Sequence, residues 1–376
     1  MQFLDITFLL LIAQLLQPVL AYKIDATCKD QDAELMRDAI VQAFDMARQS
    51  LDALENRRQD VNVKRLIELL FCEEGQDPAT IDMTKVMSSF TGILQMEQEN
   101  PNADTEDTSD EVVIYCDLES RIRKNNEGMW VETSINKVIS EPPGHKLSEC
   151  RATLDFELAF TWNPTRTTWE IHDAAGEVVG YGSRMHAAQI NICPWFLEWA
   201  RGARYKTWKD VRVKTRLAKW VIPLVEKGWW LTPFDATNLL DKVMLHELTH
   251  TIAGGETEDV SDGFELDLPF RAAYGWKDAK RLAKMKQGPP RKETERADNN
   301  ADTLALFGSA IRFLNEDPAK YVQDNGFITE TSPNTARNAP SLKLMYPRST
   351  VPVWNPVFEG FLTRIREARA AETHAY

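Results

Sequence analysis

Residues 235–255 read DATNLLDKVMLHELTHTIAGG, and this stretch decides how the rest of the chain is read. Asp235, just after Pro233, suits a helix N-cap, because its side chain can accept from the free amides of a first turn. Leu239, Leu240, Val243, Met244, Leu248 and Ile252 recur at helical spacing and supply a buried face. Gly254-Gly255 suits a helix end, since glycine accepts the left-handed conformation of a C-cap. The spacing therefore predicts a metal-binding helix over 235–253. Within it lies His246-Glu247-Leu248-Thr249-His250. Histidines at i and i+4 stand one turn apart on one face, so both imidazoles can reach one ion. Glu247 is rotated by about 100° from His246, where its carboxylate can reach a water on that ion. Such a set suits metal-assisted hydrolysis, with a carboxylate as the proton acceptor.

Two histidines leave a catalytic zinc site one protein ligand short. Continuation as His-x-x-Gly-x-x-His fails, because the two slots hold Ala253 and Glu256. A thermolysin-like glutamate from a second helix would have to be Glu293 or Glu295, which lie in a Pro- and Lys-rich stretch without helical periodicity. The third possibility is a short glycine turn followed by Thr-x-Asp. Here Gly254-Gly255-Glu256-Thr257-Glu258-Asp259 places Asp259 nine residues after His250, close enough for the chain to turn back onto the metal.

At this point the chain resembles the deuterolysin-like aspzincin metallopeptidases, which include the peptidyl-Lys metalloendopeptidases and are known mainly from fungi. Their signature is His-Glu-x-x-His, then Gly-Thr-x-Asp-x-x-Tyr-Gly. The resemblance implies a zincin-like α+β fold, mostly helical with a small mixed or antiparallel sheet. It implies one zinc ion held by His246, His250 and Asp259, with Glu247 as catalytic base. Asn299-Asn300-Ala301-Asp302 heads a helical run to Phe313 and is similar to the family's Asn-Ala-Asp helix. The Cys28 helix and Cys193-Pro194-Trp195-Phe196 are weaker echoes. The specific part of the match covers 244–312. One departure stands out. The family places two residues between the ligand aspartate and Tyr-Gly, whereas here the first Tyr-Gly is Tyr274-Gly275. Anchoring on that pair would put Arg271 in the ligand slot, and a guanidinium cannot ligate zinc. Asp259 is preferred, 260–273 becomes an insertion, and Asp262 is the alternative ligand. By the resemblance Tyr274 polarises the scissile carbonyl; otherwise it is a core tyrosine beside Trp276. Asp302 is expected to bind substrate, to support a ligand, or to cap its helix. Lys-selective relatives carry an acidic residue one turn further on, where this chain has Ala305, so strict Lys selectivity is not expected.

Compartment is read from the first residues and the cysteines. Residues 1–21, MQFLDITFLLLIAQLLQPVLA, suit a cleaved signal peptide, with Val19 and Ala21 at the −3 and −1 positions. No basic residue precedes the apolar run, which is off-pattern, and the run is too short for a comfortable membrane span. The five cysteines, Cys28, Cys72, Cys116, Cys150 and Cys193, allow up to two bridges and one spare thiol in an oxidising compartment. A secreted, extracellular protein is expected.

The remaining organisation is coarser. Periodicity over 29–58 and 61–72 predicts helices in an N-terminal region, 22–110, that is a propeptide or part of the catalytic fold; 111–376 is the expected catalytic domain. The acidic stretch 97–111 and the stretch 286–298 suit exposed loops. Strands are expected at 112–116, 153–160, 167–172 and 189–193. Helices are expected through the Trp-rich stretch 195–230 and at 357–371. The tryptophans suit a core better than a carbohydrate platform. His145, His172, His186 and His374 have no partner at ligand spacing and are read as incidental.

Composition limits the partners. The chain has 376 residues, 43% of them hydrophobic, enough apolar material for a real core. Its net charge of −13 argues against a nucleic-acid binder, which would need a basic face. The expectation is a monomeric endopeptidase acting on a peptide or protein, with no nucleic acid and no stable membrane insertion. The alternative is a secreted non-catalytic zinc-binding or effector protein on a metallopeptidase scaffold.

Overall fold

The computed structural model describes residues 21–100, 111–138, 158–202, 207, 232–260, 273–285 and 293–333, apart from short gaps inside these spans. Chain order begins with β1 (Ala21–Ile24), α1 (Asp30–Asn56), α2 (Val61–Leu70), α3 (Thr84–Gln95), β2 (Gln98–Glu99) and β3 (Glu111–Tyr115). A small sheet follows, β4 (Ile122–Lys124), β5 (Trp130–Glu132) and β6 (Lys137–Val138), and then β7 (Ala159–Trp162). Next come β8 (Thr167–His172), β9 (Val178–Arg184), β10 (Ala188–Ile192) and α4 (Pro194–Gly202). The last elements are α5 (Leu240–His250), α6 (Gly275–Lys284), α7 (Ala301–Leu314), β11 (Tyr321–Val322) and β12 (Ile328–Thr329). The architecture is α+β with a mixed sheet. Its five strands run β2-β1-β3-β10-β7, all parallel except β7, which is antiparallel to β10 at the edge.

Period-two alternation explains the two faces of this sheet. Tyr22, Val112, Ile114, Ile190 and Ile192 face the helices and join the main core. Val113, Tyr115, Gln189 and Asn191 take the other face, where the Arg121 guanidinium lies 3.3 Å over the Tyr115 ring. Arg121 also donates to Glu132, Asn191 and Gln189, so this buried charge is paired and each of its nitrogens makes a hydrogen bond. The bond pattern ties β4 and β5 to the back of the large sheet.

The helical layer is built around α1. Leu35, Met36, Ala39, Ile40, Ala43, Phe44, Ala47 and Leu54 are buried along one stripe, and the alanines let neighbouring helices approach closely. Gly308 in α7 serves the same end: a Cβ there would sit 2.7 Å from Leu245 of α5 and 3.5 Å from Met46 of α1. Residues 22–100 thus contribute two strands of the large sheet and the helix that backs α5, and they share one core with the C-terminal helices. A disulfide joins Cys28, before α1, to Cys116, after β3, and Cys193 is also disulfide-bonded. Cys72 is a buried free thiol whose pKa burial pushes up to about 11, which leaves it protonated and inert.

Several expectations need correction. The helix predicted over 235–253 runs only Leu240–His250. Asp235 sits in a 3-10 turn, Asp235–Thr237, and caps a different helix, described below. Gly254-Gly255 follows the helix end by several residues, because Thr251 is already extended and its hydroxyl takes over the capping of Leu248 O. Within the acidic stretch, Gln98–Glu99 pairs with β1, so that part is sheet and not loop. Helix α3 was not foreseen. The leader through residue 20, the expected helix at 357–371, most of 195–230, His145 and His374 lie outside the described residues. No helix among the described residues is long and apolar enough to cross a membrane.

Candidate metal centre

Every residue of α5 is buried except Lys242, which is partly so. A helix apolar or satisfied on all sides belongs in the middle of a fold. Helices α1 and α7 cover two of its sides and β7 a third. Asp241 pairs with the Arg312 guanidinium of α7, both buried, which fixes α5 in rotation. That rotation points His246 and His250 at the loop after the helix.

The loop returns Asp259 to them. His246 Nε2 and His250 Nε2 lie 3.1 Å apart, and Asp259 Oδ1 lies 3.2 Å from the first and 3.4 Å from the second. A tetrahedral ion with bonds of about 2.0–2.1 Å spaces its ligands about 3.3–3.4 Å apart, so the three atoms match the edges of one face of such a tetrahedron. Asp259 Oδ1 is buried with no hydrogen-bond partner, an orphan acceptor that a cation would satisfy. His250 Nδ1 lies 2.6 Å from Thr257 O, so it donates there and leaves Nε2 as a lone pair facing the cluster. Among the described residues His246, His250 and Asp259 form a group that could hold a metal ion. Burial favours a neutral His246 imidazole, but Asp259 and Asp302 outweigh it and raise its pKa to about 10. Burial likewise works against the Asp259 charge, and the two imidazoles overcome it, holding the carboxyl well below its usual range. The cluster thus attracts positive charge, which a proton or a metal ion can supply.

Backbone pairing holds Asp259 in place from both sides. Glu258 N donates to Asn299 O at 2.9 Å and Ala301 N donates to Glu258 O at 3.0 Å. On the far side, Val260 N donates to Asn300 Oδ1 at 3.0 Å. Asn300 Nδ2 also donates to Ala273 O, and Ala273 N donates to Val260 O at 2.7 Å. The two ends of the 260–273 stretch therefore meet, and Tyr274 returns beside the cluster.

Helix α3 supports the turn that starts this loop. A Cβ on Gly92 would lie 1.8 Å from Ala253 O, and one on Gly255 would lie 2.7 Å from Ser89 Oγ. Gly255, at φ +97°, also needs the left-handed region open to glycine. We expect Gly92→Ala to displace the 251–255 turn and lower zinc affinity at least tenfold, with a destabilisation of about 1–3 kcal/mol typical of overpacking. Calorimetric zinc titration and thermal melts check this; unchanged affinity would mean that α3 does not set the turn.

Two aspartates secure the remaining side. Asp302 Oδ2 accepts from Gly275 N at 2.7 Å, and Asp235 Oδ1 accepts from Trp276 N at 2.7 Å. Both carboxylates therefore sit on the free amides that begin α6, where the helix dipole also favours them. Asp235 is buried enough that its pKa is nevertheless raised. Asp302 Oδ1 pairs with Lys242 Nζ and lies 3.5 Å from His246 Nδ1. Burial opposes the Asp302 charge, but Lys242 and His246 outweigh it and hold the carboxyl well below its usual range. Asp302 is only 1% exposed. It was expected as a substrate-binding group, yet its oxygens are turned inward onto the chain's own donors. Tyr274 is not a core residue: it is 41% exposed, whereas Trp276 is fully buried. Its ring centroid lies 5.8 Å from that of His246.

Glu247 points toward β7. Thr161 Oγ1 lies 2.7 Å from Glu247 Oε2 and 2.9 Å from Glu247 O, so its single proton is shared between them. Asn163 Nδ2 donates to His250 O at 2.8 Å. Thr161 and Asn163 were missed from sequence, since nothing local marks two polar residues at a strand end as partners of a distant helix. Of the other candidates, Glu295 is exposed in a 3-10 turn, His186 is buried outside the cluster, and Asp262 lies outside the described residues. Comparison with known proteins finds no match: no family model, curated protein or solved structure is significantly similar to this chain.

Proposed function

We propose that this protein is a secreted zinc endopeptidase of the aspzincin type. The observation that carries the reading is the trio of His246 Nε2, His250 Nε2 and Asp259 Oδ1 at tetrahedral spacing, with Glu247 next to His246 on the same helix. Two neutral imidazoles and one carboxylate form a donor set suited to a catalytic zinc ion with an open position. When bound, zinc would polarise the scissile carbonyl and lower the pKa of a water. Glu247 would be the group that takes a proton from the attacking water and delivers it to the leaving amine. Thr161 holds the Glu247 carboxylate in orientation through the 2.7 Å hydrogen bond. The Tyr274 hydroxyl serves the carbonyl oxygen. An extended peptide docks along β7, which ends the sheet beside α5 among the described residues. The disulfide Cys28–Cys116 supports an oxidising destination. Meeting of Val260 and Ala273 supports the family resemblance, because a long insertion between the aspartate and Tyr274-Gly275 then costs the site nothing in geometry.

The test is a digest of a broad peptide library by the full-length protein, with product termini read by mass spectrometry. The zinc-loaded protein should give internal cleavages, a strong chelator should abolish them, and added zinc should restore them. Zinc binding without any cleavage would instead favour a non-catalytic binding protein on this scaffold.

A further inference from the structure

Lys242 stands one helical turn before His246 on α5 and is the one residue of that helix not fully buried, its side chain 11% exposed. Its ammonium does not reach out to water. It pairs with Asp302 of α7, a carboxylate only 1% exposed. A lysine on a helix as buried as α5 is expensive to desolvate, so its partner must offset that cost. Asp302 has two further contacts. Its Oδ1 lies 3.5 Å from His246 Nδ1, and its Oδ2 accepts from Gly275 N at 2.7 Å. One carboxylate thus touches the back of a candidate ligand and the backbone next to Tyr274.

The geometry points to Lys242 as a positioning residue of the metal site, an inference that rests on the zinc reading above. Its ammonium pairs with Asp302 Oδ1 while Gly275 N donates to Asp302 Oδ2, so the carboxylate is fixed between His246 and the Tyr274–Gly275 turn. Held there, Asp302 Oδ1 stands 3.5 Å from His246 Nδ1, where it orients the imidazole so that Nε2 faces the cluster; a rotated carboxylate would not. The same pairing occupies Asp302, so this carboxylate is closed to a cationic side chain of the substrate.

The test compares zinc affinity of full-length wild type, Lys242→Met, Asp302→Asn and the double variant, by competition with a chromophoric chelator. Each single change should lower zinc affinity about 10- to 100-fold, as loss of a ligand's outer support does. The double variant should fall no further than the worse single, because both residues act through one contact. It leaves no buried unpaired charge, so it keeps the test available should a single variant fail to fold. Its metal-free melting temperature separates loss of support from loss of the fold. Wild-type affinity in Lys242→Met or in the double variant overturns the inference, and so do additive losses. Absence of zinc binding in wild type overturns both this inference and the zinc reading. Wild-type zinc binding without peptide cleavage sinks only the peptidase activity, and the affinity comparison still decides the role of Lys242.

Discussion

Replacing Glu247 with Gln should lower kcat for peptide hydrolysis by about 10³-fold while the protein still binds one zinc ion with wild-type affinity. A positioned general base typically contributes about 10²–10⁴-fold, and 10³-fold corresponds to about 4 kcal/mol of barrier. The substitution is nearly isosteric, and a glutamine Oε1 can still accept from Thr161 Oγ1, which lies 2.7 Å from Glu247 Oε2 in the native chain. Packing of α5 is therefore expected to hold, and metal content should not change because Glu247 lies outside the ligand cluster. What the amide cannot do is take a proton from water. The measurement pairs a fluorogenic peptide assay, using a substrate found in the library digest, with zinc content per chain. Retention of more than a tenth of wild-type kcat would remove Glu247 from the mechanism. Loss of zinc together with activity would show that the change disturbed the site instead of the chemistry.

How much of this was legible in the chain depends on the range of each interaction. His246 and His250 are four apart on a helix, so their meeting follows from helical pitch alone. Asp259 is nearly as local, since a glycine turn joins it to the helix. The long stripe of α1 and the strands β3, β8 and β10 also follow from short-range periodicity. Where the reading failed, distant residues had taken over a local signal. Asp235 has the form of an N-cap for the helix that follows it, but Thr232 and the Trp276 amide compete for its oxygens and win. Gly254-Gly255 looks like a helix stop, yet its glycines serve a tight turn packed against α3, with Gly92 admitting the Ala253 carbonyl. Thr161, Asn163 and Lys242 carry no pattern at all. Their roles exist only because β7 and α7 lie against α5, and that contact is set by the whole core.

Asp259→Ala should abolish the stabilisation that zinc gives the folded protein. A ligand present at about 100 times its Kd stabilises the native state by about 2.7 kcal/mol, so zinc should raise the wild-type melting temperature by about 3–4 °C. Asp259 supplies the one anionic oxygen of the cluster, 3.2 Å and 3.4 Å from the two Nε2 atoms. Without it two imidazoles remain, and a pair of neutral donors does not make a closed zinc site. The expected result is a melting temperature that no longer responds to zinc, and peptide cleavage lost with it. The control variants separate the competing ligand assignments. Glu293→Ala and Glu295→Ala should keep the zinc response, because Asp259 already completes the cluster and Glu295 is exposed in a 3-10 turn. Asp262→Ala should keep it as well. A wild-type zinc response in Asp259→Ala, with loss in any one of the three controls, would transfer the third ligand to that residue. Backbone bonds on either side of Asp259 argue for the first outcome: Glu258 is tied to Asn299 and Ala301, and Val260 to Asn300, so its carboxylate is presented to the histidines by a frame that its own removal leaves standing.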